Sequence, residues 1–127
     1  MPLGGLASAI YQILRQRVPA GDPRISYGSL VNALGDLPSP NQNLQAYDKR
    51  LFEALGEIGI ACHRHSAPLP ALSSIVVQKL DNGDLGMPGL GYYLAVHPTA
   101  HSDIHRIEVW TTEYERARQE TNYPQQL

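Results

Sequence analysis

Cysteine is almost missing from this sequence of 127 residues, and long apolar runs are missing altogether. The single cysteine, Cys62, excludes a disulfide bond within the chain, as is typical of proteins in a reducing compartment. No apolar run approaches the length that spans a bilayer, and the sequence does not open with a charged region followed by an apolar one. We therefore expect a cytoplasmic protein with no membrane partner.

A strong charge of either sign is also lacking. The formal net charge is −2, and Asp, Glu, Lys and Arg together make up 17% of the residues. Residues 1–80 carry seven basic against five acidic side chains, whereas residues 81–127 carry three against seven. Proteins that hold DNA mainly through phosphate contacts have a much more basic face. The composition therefore argues against binding by charge alone.

The apolar content, 43%, is ordinary for a globular protein, and the length suits one hydrophobic core but not two. We expect a single domain over residues 1–120. Residues 121–127 show no core pattern, so we expect them to form a flexible tail.

Apolar residues recur at helical spacing in three parts of the sequence, which predicts amphipathic helices over residues 3–17, 44–58 and 107–119. A shorter helix is predicted from Tyr27 to Leu34. Ser26 is a suitable N-cap for it, because a serine hydroxyl can accept a hydrogen bond from the first turn.

The stretch of residues 69–93 contains the strand signals around which the fold is expected to be arranged. Ile75-Val76-Val77 is β-branched and too short for a helix, so residues 75–79 are predicted to form a buried strand. An Asn-Gly pair at residues 82–83 is a strong signal for a tight turn. Residues 92–96 fit either a second strand or a short helix, and we favour the strand.

Glycines are concentrated between Gly86 and Gly91. A phosphate-binding loop would need a Gly-Lys-Ser/Thr ending, which is absent here. We interpret the segment as a tight structural turn that packs against the last helix.

Together these elements give the order helix, short helix, loop, helix, strand, turn, strand, helix. That is the order of a winged helix-turn-helix. The expected fold class is α+β: a small winged helix-turn-helix-like domain in which helices pack on a short β-hairpin, with a C-terminal helix.

The sequence ISYGSLVNALG at residues 25–35, with IYQIL and VPAG before it, resembles the start of the winged-helix domain shared by DNA alkyltransferases and alkyltransferase-like proteins. The resemblance covers about the first quarter of the chain and implies a domain that contacts duplex DNA. A second pattern in residues 69–91, Leu-Pro-x-Leu … Val-Val-x-Lys … Pro-Gly-x-Gly, is similar to one in a small uncharacterised group of bacterial domains that begin with a Tyr-Gly-x-Leu helix. This second resemblance bears on the fold and not on an activity.

Alkyltransferases carry a Pro-Cys-His-Arg-Val motif, and residues 61–65 of this chain are Ala-Cys-His-Arg-His. The proline and the valine of the motif are both replaced, and the Ala-Arg-Ala-Val-Gly signature of the family's recognition helix is missing. An alkyl-accepting cysteine must be held as a thiolate by a positioned base. We therefore expect no catalysis and an inert, partly buried thiol at Cys62, and alkyl transfer is kept as a remote alternative.

Several histidines fall at spacings that a metal site could use. They are His97, His101 and His105, four residues apart, and His63 and His65 beside Cys62. No Cys-x-x-Cys pair accompanies them, and Pro98 disfavours a regular helix through the first three. We interpret them as exposed loop histidines and expect neither a metal nor a cofactor.

Six residues of the predicted helix-turn-helix and wing are candidates for contacting double-stranded nucleic acid: Arg24, Tyr27, Lys49, Arg50, Arg64 and Lys79. Lys49 and Arg50 fall in the N-terminal half of the predicted recognition helix, where base contacts are usually made. For any one of these residues, a solvated surface position is the alternative interpretation. The predicted function is a non-catalytic binding module for double-stranded nucleic acid or for a protein complex that handles it.

The uneven charge supports a second hypothesis of a different class. The protein would be an interaction adaptor or inhibitor that presents an acidic C-terminal surface to a partner protein. Its candidate contact residues are Glu108, Trp110, Glu113 and Glu115.

Overall fold

The computed structural model of this chain describes residues 3–18, 21–35 and 48–127. In chain order the elements are α1 (Gly5–Arg17), β1 (Ile25–Ser26), α2 (Tyr27–Gly35), α3 (Lys49–Arg64), β2 (Val76–Val77), α4 (Leu90–Val96) and α5 (Asp103–Gln119), and a 3-10 turn, Leu72–Ile75, directly precedes β2. The described part of the chain is thus α+β in a loose sense, with five helices and a two-stranded sheet. Within it, none of the helices combines the length and the apolar character that a membrane crossing requires.

The sheet is parallel, with Ile25 opposite Val76 and Ser26 opposite Val77. Strand β2 continues directly into a hairpin of residues 78–87, referred to below as the hairpin. At its base the Gln78 N–H donates to the Met87 carbonyl at 2.9 Å and the Gly86 N–H donates to the Gln78 carbonyl at 2.8 Å. Its tip turns at Gly83, whose φ of 90° is easily adopted only by glycine.

The strand predictions need correction. The predicted strand over residues 75–79 is reduced to Val76–Val77, because Ile75 belongs to the 3-10 turn before it. Residues 92–96 form a helix, so the favoured strand is wrong there. Tyr92, Tyr93 and Val96 bury one helical face of α4 against Ala71, which outweighs the preference of the aromatic and β-branched residues for a strand.

Helices α1, α2 and α5 lie where the sequence predicts them, with α5 starting earlier, at Asp103, after a Ser102 N-cap. The start predicted for α3, residues 44–47, lies outside the described residues. Helix α3 does not end at Gly59 but continues to Arg64. A Cβ at Gly59 would lie 2.6 Å from Val96 Cγ2 and 2.8 Å from Ser73 Oγ, so this glycine permits the close packing of α4 on α3.

The main core lies between α1, α2, α3 and the segment of residues 69–77. Its fully buried members include Ile10, Leu14, Leu30, Leu51, Ile58, Leu72 and Val76. A smaller cluster under α4 joins Tyr92 and Tyr93 to Ala71 and to the partly buried Trp110. The two clusters meet along residues 69–77, so this segment is buried from both sides.

The last residues pack on α1 rather than projecting from the domain. Tyr123 is buried, and its hydroxyl donates to the Pro70 carbonyl at 2.6 Å. The Tyr11 hydroxyl donates to the Pro124 carbonyl at 2.5 Å, and Arg15 Nε donates to the Tyr123 carbonyl at 3.2 Å. The prediction that residues 121–127 contain no core residue is wrong, because Tyr123 belongs to the main core. A single buried aromatic residue produces no periodic pattern in the sequence.

Candidate functional site

The first turns of α2 and α3 and the base of the hairpin meet at one end of the molecule. The Tyr27 ring packs edge-to-face on Phe52, with 5.5 Å between ring centroids. The Tyr27 hydroxyl accepts a hydrogen bond from the Gly89 N–H at 2.8 Å. A Cβ at Gly89 would lie 3.5 Å from the side-chain nitrogen of Gln78, where the hairpin begins. We call this region, defined by Tyr27, Phe52, Gly89 and the hairpin, the α2–α3 end.

Lys49 and Arg50 lie in the first turn of α3, one turn or less before Phe52, and both are exposed. Arg50 Nη2 is 2.7 Å from Asp48 Oδ2, and Lys49 Nζ is 3.6 Å from Glu53 Oε1. The Lys49–Glu53 pair lies in water and is weak, so Lys49 can readily exchange it for another anionic partner. Arg50 is held more firmly, because the Asp48 side chain is only 18% exposed and Arg50 Nε also contacts its Oδ1 at 3.0 Å. Both cations are exposed at the α2–α3 end.

Arg24 and Tyr27 hold the α2–α3 end together. Arg24 Nε and Nη2 contact the two carboxylate oxygens of Asp22 at 3.0 and 2.8 Å, and Arg24 Nη1 donates to the Leu85 carbonyl of the hairpin at 3.2 Å. The hydrogen bond from Arg24 holds the pKa of Asp22 well below its usual range. Tyr27 is only 5% exposed, which contradicts its assignment to a contact surface. The burial of Tyr27 leaves it a positioning role, whereas the Arg24 side chain is 29% exposed and its predicted contact with nucleic acid stays a prediction.

The two remaining basic candidates lie at different ends. Lys79 is exposed on the hairpin, where it forms an antiparallel bridge with Leu85. Arg64 is the last residue of α3, fifteen residues beyond Lys49, and at 1.5 Å per residue the two are about 22 Å apart along the helix axis. Lys49 and Arg50 thus lie at the start of α3 and Lys79 on the hairpin, whereas Arg64 lies at the opposite end of α3.

The predicted acidic surface on α5 loses Glu113 and keeps Glu108 and Glu115. The Glu113 side chain is 7% exposed, so the prediction that it contacts a partner is wrong. Trp110 Nε1 donates to the Ser74 carbonyl at 2.9 Å, which fixes this ring against the segment of residues 69–77. Glu115 forms an ion pair with Arg118 at 2.9 Å, and Glu108 is exposed.

Glu113 is instead the centre of a polar cluster that no motif in the sequence reveals. Its Oε2 accepts from the Ala71 N–H at 2.5 Å and lies 2.7 Å from His63 Nε2. Its Oε1 lies 3.7 Å from His97 Nε2, which in turn is 3.2 Å from the Tyr92 hydroxyl. We call His63, Tyr92, His97 and Glu113 the Glu113 cluster.

Burial dominates the electrostatics around this cluster. It lowers the pKa of His97, while the Glu113 carboxylate opposes this shift and the imidazoles of His63 and His105 add to it. Burial also raises the pKa of the Tyr92 phenol and raises that of the Cys62 thiol to about 11. Cys62 is fully buried as well as protonated at neutral pH, and a thiol in that state is not a nucleophile.

The histidines do not assemble into a metal centre. Over residues 3–18, 21–35 and 48–127, no group of three or more His, Cys, Asp or Glu side chains has the geometry to hold a metal ion. The prediction of exposed loop histidines holds for His101 but is wrong for His97, whose side chain is 17% exposed. His105 lies on α5 and not in a loop.

A second exposed feature is apolar. Leu90 and Leu94 on α4 and Ile104 and Ile107 near the start of α5 are between 47% and 72% exposed. Leu90 and Ile107 line one pocket together with Tyr93. We call these four side chains the α4–α5 apolar surface.

Comparison of the chain with models of known protein families, with curated proteins and with solved structures gave no match.

Proposed function

We propose that this protein is a non-catalytic module that binds double-stranded nucleic acid, or a protein complex that handles it, through the α2–α3 end. The observation that carries the proposal is the pair of contacts that Tyr27 makes, with the Phe52 ring and with the Gly89 N–H. These contacts bring the start of a long helix and the base of a hairpin to the same face. A winged helix-turn-helix presents the same two elements to a duplex.

In this proposal α2 and α3 are the two helices of the helix-turn-helix, α3 is the recognition helix and the hairpin is the wing. The register of the hairpin supports this assignment, because the Lys79–Leu85 bridge is antiparallel and the hairpin continues from β2 without interruption. Arg24 then connects the segment before β1 to the wing through its hydrogen bond to the Leu85 carbonyl.

The helix dipoles at the α2–α3 end favour an anionic partner, whereas the formal charges there are balanced. The N-termini of α2 and α3 carry the positive ends of their helix dipoles, and Lys49, Arg50 and Lys79 add positive charge. Asp48 and Glu53 beside α3, and Asp81 and Asp84 on the hairpin, offset that charge. With a net charge of −2 the whole molecule contributes little long-range attraction. We therefore expect modest affinity that depends on salt.

The test is binding of a labelled DNA duplex, followed by fluorescence anisotropy over a range of salt concentrations. Lys49→Ala combined with Arg50→Ala should weaken binding and make the slope of log affinity against log salt shallower by up to about 2, since each phosphate contact releases about 0.9 counterions. A matched control, Arg64→Ala with Arg116→Ala, removes the same charge from exposed positions elsewhere. The control should change the slope little.

Two results would contradict the proposal. One is the absence of salt-dependent binding by the intact protein at low ionic strength. The other is an equal loss in the test and control variants, because net charge and not the α2–α3 end would then account for the binding.

A second candidate function, protein interaction, is favoured by the α4–α5 apolar surface. Four large apolar side chains of α4 and of the first turns of α5 are exposed, and two of them, Leu90 and Ile107, line the same pocket. The partner would be a protein with an apolar contact surface. Leu94→Glu with Ile104→Glu should then abolish a nuclease-resistant complex that the Lys49/Arg50 variant retains, and retention by both variants would contradict this candidate.

A further inference from the structure

The Glu113 cluster stands where four parts of the chain meet. His63 comes from the last turn of α3, Glu113 from the middle of α5, and His97 from the residue that follows α4. The fourth part is the segment that leads into the 3-10 turn and β2, which is held through the Ala71 N–H. One carboxylate thus fastens this segment to the helices around it.

The hydrogen bond with Glu113 fixes where His63 carries a proton. A carboxylate can only accept, so His63 Nε2 carries the proton that it shares with Glu113 at 2.7 Å. The His63 side chain is 37% exposed, so His63 forms the solvent-facing side of the cluster.

His97 is constrained differently. The Tyr92 hydroxyl lies 3.2 Å from His97 Nε2, and the tautomer of the neutral ring decides which of the two groups donates. A charged ring carries a proton on Nε2 and can only donate from it, either to the Tyr92 oxygen or toward Glu113 Oε1 at 3.7 Å. A ring that accepts from Tyr92 when neutral therefore loses that bond when it is charged.

The groups that face His97 and Glu113 make a charge on His97 costly. Positive charge on His63 from α3 and on His105 from α5 repels a charged His97, and Glu113 provides only one compensating carboxylate. The remaining titratable neighbours are Cys62 on α3, Tyr92 on α4 and Tyr123 in the tail, and burial keeps all three neutral at physiological pH. The Glu113 carboxylate pairs one added proton, and any further proton leaves positive charge that the cluster cannot pair.

We propose that the Glu113 cluster is a proton-sensitive latch, which holds the segment of residues 70–77 at neutral pH and is loosened when His97 takes up a proton in mildly acidic solution. Because β2 continues directly into the hairpin, the latch also sets how firmly the hairpin is anchored. The inference does not depend on what the α2–α3 end binds.

The experiment compares unfolding midpoints in urea and the hydrogen-exchange protection of the Ala71 amide between pH 7.5 and pH 5.5. In the intact protein both should fall as the pH falls, with a several-fold loss of Ala71 protection. The sign follows from linkage: the pKa of His97 is lower in the folded state, so the unfolded chain binds more protons in this range and acid favours unfolding. His97→Gln should flatten both profiles, whereas His101→Gln, at an exposed histidine of the same connection, should leave them unchanged.

Identical pH profiles in the intact protein and His97→Gln would overturn the latch, as would Ala71 protection that is the same at both pH values. If His97→Gln does not fold, titration of the His97 ring by nuclear magnetic resonance in the intact protein decides the matter. A midpoint below the ordinary value of about 6.5 supports the latch, and one at or above that value overturns it.

Discussion

The α2–α3 end and the Glu113 cluster both contain charged side chains, but the surroundings of those charges are opposite. Lys49 and Arg50 are exposed, and their pairs with acidic neighbours lie at the surface. The Glu113 carboxylate is buried, and its partners come from three other parts of the chain. A surface pair contributes little and exchanges easily, whereas a buried charge that loses its partners retains the full cost of desolvation. Lys49 at the α2–α3 end is therefore readily available to a partner and Arg50 is less so, whereas charge in the cluster serves the fold.

The first prediction tests the buried side of this comparison and has the largest expected effect. Glu113→Ala leaves the Ala71 N–H and the His63 ring without their acceptor and should lower the free energy of unfolding by about 3 kcal/mol. Glu108→Ala, at an exposed position of the same helix, is the control and should change it little. Urea denaturation measures both variants. Equal stability of the two would mean that the cluster does not fasten the fold.

The second prediction concerns the uncharged part of the α2–α3 end. Tyr27→Phe keeps the ring contact with Phe52 but removes the acceptor of the Gly89 N–H, and the free energy of unfolding should fall by about 1 kcal/mol. Hydrogen exchange at Gly89 should also become faster. Tyr114→Phe removes a hydroxyl bond to Asp22 that is exposed, so its effect should be smaller. The reverse order of the two variants would show that Tyr27 does not organise this end.

Much of the helical framework could be predicted because it depends on local periodicity. In α1 the buried residues Ala7, Ile10, Tyr11 and Leu14 recur at the spacing of one helical face, and that pattern is visible in the sequence alone. Helix α4 could not be predicted in this way. Its residues favour a strand locally, and its helical state depends on close contact with Gly56 and Gly59 of α3, which are more than thirty residues earlier in the chain.

The α2–α3 end and the Glu113 cluster also differ in how far local sequence predicts their residues. The exposure of Lys49 and Arg50 could be predicted, because both fall outside the apolar face of their helix, whereas their role stays a prediction. Glu113 resembles Glu108 and Glu115 in sequence, and only its spacing from Trp110 and Ala117, three residues after one and four before the other, marks it as an inner position of α5. Nothing local connects it to His63 or His97, because tertiary packing alone brings these residues together.

The last prediction tests the exposed side of the comparison and has the smallest expected effect on stability. Lys49→Ala with Arg50→Ala should leave the unfolding midpoint unchanged within error, because both side chains lie in water and Asp48 still caps α3 by accepting from the Arg50 backbone N–H at 2.9 Å. Asp48→Ala is the informative contrast. It removes that cap and should cost about 1 kcal/mol although it deletes only one charge. If the double variant proved less stable than Asp48→Ala, the two cations would be part of the fold, and weaker nucleic-acid binding by the double variant could not be attributed to lost phosphate contacts.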